Sequence, residues 1–104
     1  MSTVKIPGSS NLLRTTDVTV GTAAVQALLE NKRRAGYRII ASTGNADNIY
    51  HDVDSKVSIA SEDIIAPGGR LEDTGEWNTI YRGEVWLISG TAAQTVKVEE
   101  IIKV

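Results

Sequence analysis

Short runs in which apolar and polar side chains alternate, each closed by turn-forming residues, recur at roughly ten-residue intervals through most of this chain. A period of two sends successive side chains to opposite faces of an extended strand, so such runs bury one face only against a second sheet or across a barrel. Val18 and Val20 alternate with Asp17 and Thr19 before Gly21. Tyr37-Arg38-Ile39-Ile40-Ala41-Ser42 is rich in β-forming residues and enters Thr43-Gly44-Asn45-Ala46-Asp47-Asn48, a dense turn signal. Ile49-Tyr50 opens the next strand, Lys56-Val57-Ser58-Ile59 alternates again, and Ala66-Pro67-Gly68-Gly69 precedes Arg70-Leu71-Glu72. Thr79 to Ser89 reads as one strand with Gly83 as a bulge or bend; its second half, Val85-Trp86-Leu87-Ile88, is apolar throughout, as in a central strand covered on both sides. Thr95 to Glu99 alternates before Ile101, Ile102 and Val104. The pattern predicts an all-β fold, a small antiparallel β-sandwich or barrel spanning residues 17–104.

Two segments fit the pattern less well. Residues 1–16 hold the breaker cluster Pro7-Gly8-Ser9-Ser10-Asn11 with Val4, Ile6, Leu12 and Leu13 around it, and neither helical nor strand period holds through them. They read as an extended N-terminal arm whose apolar side chains find burial against another surface. Residues 22–36 contain good helix formers, basic residues toward their end and Gly36 just beyond, which favours a helix. Ala23, Val25, Ala27 and Leu29 also alternate, so the residues leave strand and helix equally open.

Composition narrows the function classes. At 104 residues the chain holds one core. Eleven Lys and Arg stand against 13 Asp and Glu, a net charge of −2, which lacks the basic excess of a nucleic-acid binder. No cysteine is present, so neither a disulfide framework nor a thiolate metal site is available, and stability must come from packing or oligomerisation. No apolar run has the length of a signal peptide or a membrane span, so the expectation is a soluble protein with no membrane partner.

Chemistry-bearing patterns are sparse. His51 is the single histidine, and although Asp52 and Ser55 are close in sequence, a strand sends His51 and Asp52 to opposite faces, so no triad is expected. Asn45, Asp47, Asn48, Asp52 and Asp54 supply oxygen atoms but miss the calcium-loop spacing, and turn formation explains them. Gly68-Gly69-Arg70 lacks the Lys-Ser/Thr of a phosphate loop. No catalytic residue, cofactor or metal is therefore expected.

The basic cluster Lys32, Arg33, Arg34 and Arg38 reads mainly as a solvated rim. Arg38, inside an apolar strand, is the member expected to hold a carboxylate or carbonyl on a neighbouring strand, or an acidic group on another subunit. Trp86, in the most apolar run, is expected in the core. Trp77, in the polar stretch Asp73-Thr74-Gly75-Glu76-Trp77-Asn78-Thr79, is the surface aromatic, suited to a sugar ring or a protein partner.

Taken in order, Val18-Thr19-Val20-Gly21-Thr22, Asn31 to Arg34, Tyr37 to Asn45, Asn48-Ile49-Tyr50, Ile65 to Leu71, Tyr81 to Gly90 and Thr95 to Glu100 resemble the small all-β structural proteins of tailed bacteriophage virions, particularly head decoration, cement or head-fibre proteins. The resemblance covers about residues 17–100, and departs at Ser42-Thr43, where asparagine is frequent, and at His51 to Asp54, where glycine is. It implies a strand over residues 23–30. It also implies a capsid decoration protein on the virion surface, bound to the major capsid protein and homo-oligomeric, with a trimer suiting a three-fold position. The interface residues expected on that reading are Val4, Ile6, Leu12, Leu13, Arg38 and Trp77. A tail or host-attachment module binding carbohydrate is the alternative.

Overall fold

A computed structural model describes residues 2–6 and 11–104. The breaker cluster from Pro7 to Ser10 lies outside the described residues.

Two antiparallel sheets face one another. The larger is built from β1 (Ser2–Lys5), β2 (Leu12–Val20), β9 (Gln94–Ile102), β4 (Arg34–Ala41) and β7 (Arg70–Asp73), in that spatial order. The smaller runs β3 (Val25–Leu28), β8 (Val85–Ser89), β5 (Ile49–Asp52), β6 (Ile64–Ile65). The sheets do not close on each other, so the fold is a sandwich and not a barrel.

Period-two burial decides the faces. In β9, Gln94, Val96, Val98 and Glu100 are buried while Thr95 and Lys97 are exposed. The inward residues meet Tyr37, Ile39 and Ala41 of β4, Leu87 of β8 and Ile49 of β5 in one core. Each fully buried aliphatic side chain contributes about 1.5–3 kcal/mol relative to exposure. The turn before β7 follows its sequence: Pro67 presets its own backbone, Gly68 adopts φ +78°, and Gly69 N–H donates to Ala66 O at 2.8 Å.

The choice left open over residues 22–36 falls to a strand within them, as the resemblance implies: among the described residues there is no α-helix, and Val25 and Leu28 pair with Leu87 and Val85 over the core, a burial that overrides local helix propensity. Other expectations are corrected. Lys56 to Ile59 is not a strand. Asp54 Oδ1 accepts the Lys56 N–H at 2.9 Å and Ser58 Oγ that of Ala60 at 3.2 Å, so side chains hold the backbone in turns, and only Val57 is buried. Gly83 is a bend, one of the two readings expected of it, but it lies before β8 and not inside the strand. Trp86 is not in the core: β8 is central in its sheet, but that sheet is an outer layer, and Trp86 sits on its uncovered face.

The expected division at residue 16 falls inside β2. Leu12 to Val20 pair without interruption with Ile102 to Gln94, and Ser2–Lys5 pair with Thr15 to Leu12. Residues 2–5 and 12–16 thus form a β-hairpin that continues the larger sheet, with Ile6 N–H donating to Asn11 O at 3.0 Å near its closed end.

Candidate functional site

The end of the sandwich nearest the hairpin is organised by one buried ion pair. Arg34 is fully buried at 0% exposure and Glu100 nearly so at 4%. Arg34 Nε donates to Glu100 Oε2 at 2.8 Å, Nη1 to Tyr81 O and Gly83 O at 3.0 Å each, and Nη2 to Leu29 O at 2.6 Å. Asn31 Nδ2 and Arg14 Nη1 donate to the two Glu100 oxygens at 3.3 and 3.4 Å. A planar guanidinium with five donors can join β9 to two separate loops at once, which a lysine ammonium cannot match. The cluster read as a solvated rim therefore contains the most buried charge of the described residues.

A second arginine extends this network. Arg82 Nε donates to Arg34 O at 3.0 Å, its Nη2 donates to Trp77 O, and its guanidinium lies 4.0 Å from the Trp77 ring centroid. Lys103 Nζ lies 4.4 Å from the same ring. Trp77 is on the surface as expected, at 42% exposure, but both cations already engage its π-system.

The six expected interface residues are only partly brought together. Val4 pairs with Leu13, and Leu13 with Ile101, so these three form an apolar row across β1, β2 and β9 on the outward face of the larger sheet. Leu12 turns to the opposite, inward face beside Ile102. Ile6 lies just past β1. Arg38 lies one row along on the outward face, with its Nε 3.0 Å from Glu99 Oε1 and with Glu72 opposite on its other flank. Its carboxylate partner is thus within its own chain, on the neighbouring strand.

All four residues of β1 are exposed, and Val4 is 54% exposed. As the last strand of its sheet, β1 presents backbone N–H and C=O groups along one side that no other strand takes up among the described residues. Between β3 and the adjoining β2 and β9 lies a cleft of about 300 Å³, walled by Val18, Leu28 and Val98, with Arg14, Asn31 and Glu100 also lining it.

A smaller cleft of about 180 Å³ lies between the sheets near β5, lined by His51, Asp63, Tyr37 and Tyr81. Burial lowers the His51 pKa below its ordinary value, outweighing Asp63 and Asp52, which favour the cation. The unfolded chain therefore binds the proton more readily, and the stability contributed by neutral His51 is complete above about pH 6.5 and lost as pH falls through the lowered value. Urea unfolding at stepped pH is expected to show stability declining from about pH 7 to 5, with a shallower decline in His51→Gln. Equal slopes would contradict this. Among the described residues no three His, Cys, Asp or Glu side chains are grouped to hold a metal ion, and no helix is long and apolar enough to cross a membrane.

No family model, curated protein or solved structure matches this chain. The class is the one its architecture defines: a small two-sheet antiparallel β-sandwich whose larger sheet ends in an exposed hairpin.

Proposed function

We propose that this protein is a structural component of a tailed-phage virion, a decoration protein bound to the outside of the major capsid lattice. The observation that carries the reading is β1, an edge strand exposed at every position, joined to the outward row Val4, Leu13 and Ile101. An open strand edge accepts a strand from a partner through main-chain hydrogen bonds, and an apolar row beside it supplies burial. The sequence resemblance to virion decoration proteins supports the same role. On this reading many copies act together, each modest contact multiplied by avidity, and the capsid stabilises the small domain by binding only its folded form. A trimer would present three hairpins around a capsid three-fold axis.

The test uses empty shells assembled from the major capsid protein of the same phage. Removing residues 1–6 takes away β1 while leaving β2 whole; a cut at residue 13 would remove two β2 residues that pair with β9. The full chain is expected to co-sediment with shells. The truncated chain and Val4→Asp should stay in the supernatant, with Val4→Asp changing unfolding free energy by no more than about 0.5 kcal/mol, as for an exposed site. Normal co-sedimentation of both variants would sink the hairpin reading.

A further inference from the structure

The two outward faces of the sandwich differ in chemistry. On the larger sheet, Asp17 is paired with Lys97 and Arg38 with Glu99, so the charges answer one another. On the smaller sheet, the register sets Gln26, Trp86 and Asp52 side by side across β3, β8 and β5, and Ile88, Tyr50 and Ile64 side by side in the next row. None of these six outward positions is basic.

The indole at the centre is held in place. Trp86 Nε1 donates to Glu84 Oε1 at 3.1 Å, and Gln26 Nε2 donates to the same oxygen at 2.7 Å. The ring is thereby fixed by its edge through Glu84, with Gln26 at the register position on one flank and Asp52 at the one on the other, where its Oδ1 accepts the Val53 N–H at 2.7 Å. Tyr50 is its diagonal neighbour, at the roughly 7–8 Å spacing of such positions, so a second aromatic side chain lies within reach of a ligand lying across the sheet.

We propose that this face is a saccharide-binding platform centred on Trp86. A sugar ring has an apolar C–H face that stacks on an indole and a rim of hydroxyls that needs donors and acceptors at the edge of that indole. Gln26, Asp52 and Glu84 supply them. The two carboxylates and the lack of basic side chains select neutral saccharides and disfavour sulfated, phosphorylated or uronic ones. Aspartate and glutamate are depleted from the buried centres of protein interfaces, so a row flanked by both suits a hydroxylated ligand better than a protein surface. Trp77, the aromatic that the sequence puts forward for a sugar, is already engaged by Arg82 and Lys103.

The test titrates the full chain with cellohexaose, maltohexaose and chitohexaose and follows ¹H–¹⁵N spectra. The two indole signals report Trp77 and Trp86 separately. With at least one sugar, the Trp86 indole and the Gln26 and Asp52 amides are expected to shift saturably while the Trp77 indole stays fixed. Trp86→Ala should weaken binding about tenfold or more. Trp86→Phe, Gln26→Ala and Asp52→Asn should each weaken it while the chain stays folded, which separates loss of contact from loss of fold. The proposal is overturned if no sugar produces a saturable shift up to about 10 mM, ten times a millimolar dissociation constant. It is equally overturned if the shifts centre on Trp77, or if Trp86→Phe leaves sugar binding intact but lowers the sedimenting mass, which would assign the face to a second copy. The platform is on the smaller sheet and the hairpin on the larger, so sugar binding and shell binding can each fail alone.

Discussion

Replacing Arg34 by alanine is expected to remove about 3–5 kcal/mol of stability, the range for breaking a buried ion pair from one side. A domain of this size has about 5–15 kcal/mol in all, so the loss is a large fraction of the total. The cost arises on both sides of the broken pair. Glu100, at 4% exposure, would be left with only the longer contacts from Asn31 and Arg14, and the carbonyls of Leu29, Tyr81 and Gly83 would lose their donor. Arg34→Lys should fall between wild type and alanine, because one ammonium on a flexible stem cannot reach three carbonyls and a carboxylate together. The double variant Arg34→Met with Glu100→Leu should recover part of the loss, since removing both charges leaves no unpaired ion in the core. Urea unfolding measures all three; a shifted midpoint at unchanged slope is the expected signature. An Arg34→Ala midpoint equal to wild type would mean that the pair is not buried as described.

Arg34 also marks where sequence reading stops. Counting back in twos from Ala41, Ile39 and Tyr37 puts Ala35 on the inward face and Arg34 outside. The register shift between Arg34 and Gly36 sets two β4 residues against one on β9 and reverses that phase, so Arg34 points inward opposite Ile102. Nothing in a run of basic residues reveals a bulge, although Gly36 beside it is the residue type that accompanies one. The loops that wrap Arg34, residues 29–31 and 81–83, lie far apart from each other in sequence and meet through the pairing of β3 with β8 and the Asn31 N–H bond to Arg82 O at 2.9 Å.

The hairpin was hidden for a related reason. Leu12-Leu13 and Ile101-Ile102 are apolar doublets that defeat a period-two reading, yet each doublet places one residue on either face, Leu12 against Ile102 inside and Leu13 against Ile101 outside. An outward apolar row looks like noise until the register is known. By contrast, the alternation in β9, the Ile39 and Ala41 face of β4 and the Pro67-Gly68 turn were legible, because each is set by neighbours a few residues away.

Strand β8 gives the second large prediction, because one short segment carries both the core and the proposed platform. Leu87 is fully buried, pairs with Val25 and His51, and points between the sheets, while Trp86 and Ile88 on either side point out. Leu87→Ala is expected to cost about 2–5 kcal/mol, combining lost burial with a cavity that stiff strands on both sides cannot close. In the fraction that remains folded, saccharide affinity should be unchanged, since no outward side chain is altered. Trp86→Phe should do the reverse, lowering affinity with a far smaller change in unfolding free energy. Urea unfolding and the saccharide titration, run on both variants below the melting temperature, separate the two effects. A Leu87→Ala cost under about 1 kcal/mol would contradict the packing of the two sheets around β8, because so small a loss is outside the range for a truncated core leucine.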